Sequence, residues 1–297
     1  MPLGFQYSVA RIISFLLTFS HIFIKFSSLI SQAVAYFFRR RITPADKTFE
    51  INPATLYLVS TPIGNLRDIT LRALDTLRQV NLIAAEDTRK SRILLDHFEI
   101  KTPLKSYHDF NKERVTASFI KRLNKGDSIA VISDAGTPGI SDPAFYLVRQ
   151  AIAAEINIEA IPGATAFVPA LVISGLPTDR FAFEGFLPAK KGRKTRLQDL
   201  SHDSRTLIFY ESPNRIKRTL GDLYEAFGER DVVVARELTK KFETILRGSL
   251  SDLNQQTEKM PLKGEFVIIV SGLTRRRKRL NNSQKIKKDK NETSPVT

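Results

Sequence analysis

Small residues, prolines and carboxylates follow one another in several short segments of this chain, and such segments can hold a ligand. The longest spans residues 128–143 and has the sequence SIAVISDAGTPGISDP. Its apolar first half predicts a buried strand, and Asp142 begins a helix-like pattern. Gly136 and Gly139 would let backbone amides approach a ligand closely, because glycine has no Cβ. An ordinary strand-to-helix connection is the alternative, since such loops are common.

Four other segments have the same make-up and also follow apolar, strand-like runs. They are TPIGN (61–65), AEDTR (85–89), PGAT (162–165) and YESPNR (210–215). In an open α/β sheet, ligands lie at the carboxyl ends of the strands, close to helix N-termini. Segments of this kind in both halves of the chain therefore predict one cleft lined by the strand ends of two domains.

Several ligand classes are disfavoured by the motifs that are missing. The first strand is followed by TPIGNL, with one glycine instead of GxGxxG, and neither GxxxxGK[ST] nor GxSxG occurs. The chain has no cysteine, and its four histidines are far apart, so we expect no metal site. Loops of Gly, Ala, Thr and Pro favour a flat, neutral-to-cationic ligand that is held by backbone amides and carbonyls.

The elements that position these loops alternate between strand and helix. Between residues 56 and 165 this alternation predicts a mostly parallel sheet. From residue 166 onward, the apolar runs FAFEGFLP, TLIFYES, VVVAREL, FETILRGSL and EFVIIVSG predict further strands. We therefore predict an α/β fold with an N-terminal α/β domain at 56–165, a C-terminal α/β domain with a mixed sheet at 166–273, and the ligand cleft between them.

The two ends of the chain differ from its middle in charge. Residues 1–41 contain five basic residues and no acidic one, and residues 275–297 contain nine Lys or Arg and two acidic residues, out of a net charge of +15. Residues 42–55 contain two prolines and predict a linker. Residues 274–297 have almost no apolar content and predict a disordered basic tail. Such a tail suits a polyanion or remains solvated.

Residues 1–41 form an apolar and basic extension that we do not expect to belong to the catalytic fold. Their uninterrupted apolar run, Ile12 to Ile24, is 13 residues long, shorter than the ~20 residues that span a bilayer. A membrane-surface anchor is the second interpretation. An organellar presequence and a start that is assigned too far upstream are further alternatives.

The motifs STPIGNLRDIT, AEDTR, SDAGTPGISDP, PGATA, FYESPNR, ARELTK and GEFVIIV occupy residues 55–272 in a fixed order and spacing. In these motifs the chain resembles the tetrapyrrole-methylase-like (class III) methyltransferases. It is most similar to the bacterial members that methylate the ribose 2′-hydroxyl of a cytidine in the decoding region of 16S rRNA. The resemblance implies S-adenosylmethionine as cofactor, 16S rRNA of the small ribosomal subunit as partner, and a cytoplasmic homodimer.

The resemblance also implies which residues hold the cofactor, with the second domain closing the pocket. The expected set is Pro62, Ser133, Asp134, Ala135, Gly136, Pro138, Pro162, Gly163, Ala164, Thr165, Tyr210, Glu211 and Ala235. Without the family, a helix-entry turn would be the better interpretation of Pro162-Gly163.

Methyl transfer to a ribose hydroxyl requires in-line alignment of the oxygen, the methyl carbon and the sulfur. A nearby base or cation should help the hydroxyl to lose its proton. The sequence does not choose among the candidates Glu86, Asp87, Glu211 and Lys240, with Arg236 and Glu237 beside Lys240. Asp87 is also in a normal helix-capping position, directly before Thr88.

RNA contact requires positive charge, and the clearest patch is KKGRKTR at 190–196. We expect it in a loop at the cleft-facing end of the second domain. The candidate residues are Lys190, Lys191, Arg193, Lys194 and Arg196, together with Arg89, Arg215 and Arg236. Phosphate contacts of this kind supply affinity but not sequence choice. Part of the set is alternatively ordinary solvated charge.

Two other functions remain open at this point. The same fold could methylate a tetrapyrrole such as a corrin or sirohaem precursor, although the basic patch and the TPIGNL loop argue against it. The chain could also be a non-catalytic RNA-binding protein of ribosome assembly. The intact SDAGTP and PGAT loops argue against that alternative.

Overall fold

The computed structural model describes residues 49–257 and 263–273 of the 297-residue chain. The N-terminal extension, most of the predicted linker and the basic tail at 274–297 lie outside the described residues. The contacts divide the chain after Glu50, and the fold below belongs to the unit that begins at Ile51. Within the described part of the chain, no helix is long and apolar enough to cross a membrane.

The first sheet is entirely parallel and has the strand order β3-β2-β4-β1-β5. Its strands are β1 (Thr55–Val59), β2 (Leu82–Ala85), β3 (Leu104–Ser106), β4 (Ile129–Ile132) and β5 (Asn157–Ile161). Every residue of β2 and β4 is buried, as expected for central strands of a parallel sheet covered on both faces. The carboxyl ends of all these strands therefore lie along one edge.

Four helices connect the strands of the first sheet. They are α1 (Leu71–Gln79), α2 (Thr88–His97), α3 (Lys112–Leu123) and α4 (Ala144–Ala153). Two of them begin at a polar cap: the Thr70 side chain accepts a hydrogen bond from the Ala73 amide, and the Asp87 side chain accepts one from the Arg89 amide. Such caps satisfy amides that have no partner within the helix. They also set where the loop ends and the helix starts.

The second sheet is mixed and has the strand order β6-β7-β10-β8-β9. Its strands are β6 (Phe181–Phe186), β7 (Thr206–Glu211), β8 (Asp231–Arg236), β9 (Thr244–Ser249) and β10 (Phe266–Val270). β6 is parallel to β7, whereas β10 is antiparallel to both β7 and β8. The ends of β6, β7 and β8 therefore share one edge with the start of β10.

The two faces of the second sheet are buried by different elements. One face packs against α6 (Arg193–Leu200), α7 (Ile216–Phe227) and α8 (Leu250–Gln256). The other packs against Ile63 of the first-strand loop and against α5 (Phe167–Ser174). This second contact places the strand-end loops of the first sheet beside the edge of the second.

The predicted fold class is confirmed in its architecture, a parallel sheet followed by a mixed one. The domain boundary between residues 165 and 166 stays a prediction. One element differs from expectation: residues 193–196 of the basic patch, expected in a loop, form the first turn of α6. The apolar run 167–174, to which the sequence assigned no element, is helix α5.

We predict that Leu220→Ala lowers the free energy of unfolding by about 2–5 kcal/mol. Leu220 is fully buried on α7 in the core beneath the second sheet, so its truncation leaves a cavity. Tyr224→Ala on the same helix is the matched control, because Tyr224 is 42% exposed, and it should change stability by about 0.5 kcal/mol or less. Urea unfolding followed by circular dichroism measures both. Equal effects would contradict the assigned core.

Candidate active site

A cavity of about 370 Å³ lies where the strand ends of the two sheets meet. The first sheet contributes Ile63, Glu86, Ser133, Asp134, Ala135, Gly136, Thr137, Ile140, Ser141, Asp142, Thr165 and Ala166. The second contributes Phe186, Tyr210, Glu211, Ser212, Pro213, Leu238, Gly264, Glu265, Phe266 and Val267. Its volume suits a small organic ligand. The predicted cleft between strand ends is therefore present.

The loops after β1 and β4 are joined by a pair of backbone hydrogen bonds. The Thr61 amide donates to the Gly136 carbonyl at 2.9 Å, and the Gly136 amide donates to the Thr61 carbonyl at 3.1 Å. Gly136 has φ of +84°, a conformation that glycine adopts without a steric penalty. Ser133 Oγ lies 3.2 Å from the carbonyl oxygens of both Ala135 and Gly136. The SDAGTP loop therefore has a fixed shape at the cavity wall.

The loop after β5 is hydrogen-bonded to the loop after β4, which is itself bonded to the loop after β1. Thr137 Oγ1 donates to the Ala164 carbonyl at 3.1 Å and accepts from Ser60 Oγ at 2.9 Å, since its single proton is used on Ala164. Gly163 lies so close to β1 that a Cβ built there would be 2.7 Å from Ser60 Cβ. Glycine at 163 is thus required by the approach of two loops.

Asp134 connects the SDAGTP loop to the AEDTR loop. One carboxylate oxygen accepts the Asp87 amide at 3.0 Å, and the other accepts Lys90 Nζ at 2.6 Å. Asp87 itself caps α2 and pairs with Arg89 at 3.0 Å, which holds the pKa of the Asp87 carboxyl at about 2. Asp87 is therefore ionised and engaged in its own loop.

Glu86 lies at the cavity and is the catalytic candidate whose carboxylate has no hydrogen bond or ion pair within residues 49–257 and 263–273. Desolvation in the cavity raises the pKa of Glu86 above its ordinary value, and the nearby carboxylates of Asp134 and Asp142 raise it further. Glu86 is exposed, yet its proton is held more tightly than that of an ordinary carboxyl.

Asp142 is a cavity residue that the sequence analysis assigned only to the start of a helix. Its carboxylate accepts the Gly139 amide at 2.8 Å and the Ala144 amide at 2.9 Å, and desolvation raises its pKa. With Glu86 and Asp134 it makes this wall of the cavity acidic. Within the described residues, no cluster of three or more carboxylates and histidines has the arrangement of a metal site.

Tyr210 and Glu211 come from the end of β7, and the structure gives them different surroundings. Tyr210 lines the cavity, where desolvation raises the pKa of its hydroxyl. The Glu211 side chain is fully buried: Oε1 accepts the Ser212 amide at 2.7 Å and pairs with Arg215 at 3.3 Å, and Oε2 accepts Thr219 Oγ1 at 2.7 Å. Through these contacts, the Glu211 carboxylate holds the YESPNR segment in place.

Lys240 lies on the RELTK loop, where the two halves of the structure touch. Its ammonium pairs with Glu237 at 2.8 Å and Glu265 at 3.2 Å. Desolvation acts to lower the pKa of Lys240, but the two carboxylates together raise it. Its side chain also covers Gly64, where an added Cβ would clash with Lys240 Cγ. Lys240 is therefore a protonated residue that packs the two sheets together.

The remaining cofactor candidates lie around the cavity without lining it. Pro62 and Pro138 are buried, Ala235 is fully buried on the cavity-side face of the second sheet, and Ala164 packs against that face. Pro162 and Gly163 are exposed on the loop after β5. These positions shape the wall loops, and their contact with a cofactor stays a prediction.

Arg193 requires a correction among the RNA candidates. It is only 3% exposed, and its guanidinium donates to Asp222 at 2.6 Å, to Thr219 Oγ1 at 2.8 Å and to the Pro188 carbonyl at 3.2 Å. The helical spacing of α6 turns residues 193 and 197 inward. This guanidinium holds α6 against α7 and cannot also contact RNA.

The other basic candidates remain at the surface to different degrees. Lys190, Lys191 and Lys194 are exposed. Arg196 pairs with Glu184, Arg215 with Glu211, and Arg89 with Asp87. Arg236 donates from Nε to the Lys263 carbonyl at 2.7 Å. Lysines of the patch are therefore the better RNA candidates, because most of the arginines already have protein partners.

Comparison with known proteins agrees with this fold. Residues 55–254 match the family described as Tetrapyrrole (Corrin/Porphyrin) Methylases, and the chain belongs to that family. Among solved structures it is similar to uroporphyrin-III-C-methyltransferase from Thermus thermophilus, with 21% identity, a TM-score of 0.54, and coverage of 73% of this chain and 94% of that one. It is also similar to diphthine synthase, with 11% identity, a TM-score of 0.58, and coverage of 73% and 90%. These likenesses confirm the tetrapyrrole-methylase-like fold.

More similar sequences belong to curated bacterial proteins named Ribosomal RNA small subunit methyltransferase I. The protein of Xylella fastidiosa is 54% identical over 74% of this chain and 82% of its own length. The protein of Pseudomonas aeruginosa is 51% identical over 75% of this chain and 80% of its own length.

We predict that Gly163→Ala weakens binding of S-adenosylmethionine by roughly 5- to 150-fold, since an overpacked contact costs about 1–3 kcal/mol. The added methyl must push the loop after β5 away from Ser60. Gly221→Ala is the matched control. There the nearest atom would be 3.6 Å away, in a helix interior, and alanine should stabilise the fold by about 0.5–1 kcal/mol. Isothermal calorimetry and thermal unfolding distinguish the two, and unchanged affinity in Gly163→Ala would contradict the close approach.

Proposed function

We propose that this protein transfers a methyl group from S-adenosylmethionine to the ribose 2′-hydroxyl of a cytidine in the decoding region of 16S rRNA. It is an rRNA methyltransferase of the small ribosomal subunit that depends on S-adenosylmethionine. The observation that supports this most is the identity of about half with proteins of that name, over about four-fifths of their length. The ribose atom and the nucleotide are the finer part of the proposal.

The cavity residues fit this cofactor. S-adenosylmethionine supplies a methyl group on a positively charged sulfonium, so its site must tolerate a cation. Glu86, Asp134 and Asp142 give the cavity wall an acidic character, which favours a positively charged ligand. The backbone of the loop at 133–137 is open to the cavity, and Gly136 adds no side chain there. Tyr210 adds an aromatic surface from the opposite side.

We assign the role of proton acceptor to Glu86. The ribose hydroxyl is a weak nucleophile, and a base with a raised pKa removes its proton more effectively than an ordinary carboxylate. Asp87 has a lowered pKa, Glu211 is buried among donors, and Lys240 is held in its protonated form. Glu86 combines a position at the cavity, a raised pKa and a carboxylate without a hydrogen-bond or ion-pair partner among the described residues.

RNA contact is assigned to the exposed lysines Lys190, Lys191 and Lys194, which follow β6 in the chain. They would neutralise backbone phosphates and make binding dependent on salt. A tetrapyrrole substrate remains the second candidate, since the family and the solved neighbours include such enzymes. At 21% identity that likeness supports the fold and not the substrate. A homodimer and a cytoplasmic location are further parts of the proposal.

The substrate is tested by incubating the purified protein with labelled S-adenosylmethionine and isolated small ribosomal subunits. We expect label in 16S rRNA, in a dinucleotide that resists alkaline hydrolysis, because a 2′-O-methyl group blocks cleavage at that position. A parallel incubation with uroporphyrinogen should remain unlabelled. Label in the porphyrin, or in an alkali-sensitive nucleotide of the rRNA, would contradict the proposed acceptor.

Glu86→Gln should lower kcat about 100-fold or more, the range for loss of a general base, and leave the affinity for S-adenosylmethionine little changed. The wild-type rate should rise with pH as Glu86 loses its proton, at a pH above the ordinary carboxyl range. That rise should be absent in the variant. Glu155→Gln, on an exposed turn after α4, is the matched control and should retain full activity.

The same substitution should raise thermal stability at neutral pH. The folded protein holds the Glu86 proton more tightly than the unfolded chain does. Stability therefore falls as pH rises from the ordinary carboxyl pKa through the raised one, and the penalty is complete once the pH exceeds the raised pKa. Glutamine removes that penalty. A lower Tm for Glu86→Gln than for the wild type at pH 7 would argue against a desolvated carboxylate.

A further inference from the structure

The cavity contains a half-exposed aromatic side chain, Phe186, that neither the fold nor the proposed chemistry uses. It is the last residue of β6, lines the cavity, and is 52% exposed. Its ring lies 5.8 Å from that of Tyr210 at an angle of 64°, an edge-to-face contact. The other aromatic residues of this group, Phe167 and Phe183, are more buried and pack against one another at 4.7 Å.

A β-bulge is responsible for the orientation of Phe186. Phe183 is paired with Ile208, but the pairing then skips Glu184, so that Gly185 is opposite Phe209 and Phe186 is opposite Tyr210. If the pairing continued without this skip, Phe186 would be opposite Glu211, whose side chain points to the other face. Gly185 has φ of +61°, a backbone conformation that favours glycine at the bulge. The bulge thus directs an apolar ring to the cavity face of the sheet.

Phe186 is followed closely in the chain by the basic patch at 190–196. Two residues beyond it is Pro188, and the exposed lysines Lys190, Lys191 and Lys194 follow directly. An aromatic platform beside a positively charged groove is the combination with which proteins bind single-stranded nucleic acid, since every base has a face that stacks. Glu184, the bulged residue, pairs with Arg196 of the same basic patch.

We infer that Phe186 stacks on a base of the RNA substrate and so holds the acceptor nucleotide in the cavity. The inference rests on the proposed function, because it presumes that RNA enters this cavity. Stacking would hold an unpaired nucleotide without reading its identity, while the lysines bind its backbone. The ribose next to a stacked base is then kept near Glu86, which lines the same cavity.

Activity measurements on a substitution series test the role of the ring. Phe186→Ala should lower kcat/KM for small ribosomal subunits roughly 5- to 150-fold, the effect of losing one stacked base. Its affinity for S-adenosylmethionine should fall by a much smaller factor. Phe186→Tyr should retain most activity, whereas Phe186→Leu should resemble Phe186→Ala, because leucine is apolar but does not stack. Full activity in Phe186→Leu, or loss of cofactor binding in Phe186→Ala, would overturn the inference.

A fluorescence measurement tests stacking without depending on catalysis. The chain contains no tryptophan, so Phe186→Trp introduces a single tryptophan at the cavity, which can be excited selectively at wavelengths that tyrosine does not absorb. Titration with single-stranded oligocytidylate should quench its emission, and S-adenosylmethionine alone should have a much smaller effect. Tyr224→Trp, at an exposed position on α7 away from the cavity, is the matched control and should not respond.

The two experiments separate failure of the inference from failure of the proposed function. If the wild type does not methylate small subunits but oligocytidylate quenches Phe186→Trp, the proposed acceptor is wrong and base stacking stands. If the wild type methylates the rRNA and the tryptophan does not respond to oligocytidylate, the function stands and the role of Phe186 is refuted. Equal quenching of both tryptophan variants would also refute it.

Discussion

Two hydrogen bonds join the backbone of Thr61 to that of Gly136, and the loops of the cavity are arranged around this pair. Thr137 continues the connection to Ser60 and Ala164, and Asp134 continues it to Asp87 and Lys90. The loops after β1, β2, β4 and β5 are therefore one connected structure. Loops that are fixed to each other can present backbone groups to a ligand without being ordered by it, which lowers the entropic cost of binding.

This arrangement produces two regions of opposite charge close together. The carboxylates of Glu86, Asp134 and Asp142 lie on the cavity wall, while exposed lysines follow the end of β6. An acidic interior suits a cationic methyl donor, and a basic rim suits a polyanionic acceptor. Desolvation raises the pKa of Glu86, and the close like charges raise it further. Under the proposed function, the acidic wall that favours the cofactor therefore also prepares Glu86 to act as the base.

The sequence predicted the parts of the site that depend on local backbone chemistry. The glycine loop at 133–137 and the run of apolar strands were recognisable, because glycine, proline and strand periodicity act over a few residues. The inward orientation of Arg193 was not, since a run of basic residues appears solvated until the helix turns one of them toward Asp222. The contribution of Asp142 depends on how the segment after Gly139 folds back onto the cavity.

Phe186 illustrates the same limit. The alternation in FAFEGFLP predicted a half-exposed strand, but it assigned Phe186 no role, and one bulged residue reverses the side to which it points. Such a bulge depends on pairing with β7, so the strand alone does not reveal it. The contact between Gly64 in the first-strand loop and Lys240 in the second half of the structure is likewise a tertiary property, which the sequence alone does not reveal.

The central claim is that loops from both sheets enclose one cofactor site, and hydrogen–deuterium exchange tests it most directly. Addition of S-adenosylmethionine should slow amide exchange in three separate segments together: 133–137, 162–166 and 210–213. The first two belong to strand-end loops of the first sheet and the third to the second sheet. Slower exchange in segments of one sheet only, or only at positions away from the cavity, would contradict a site shared between the two sheets.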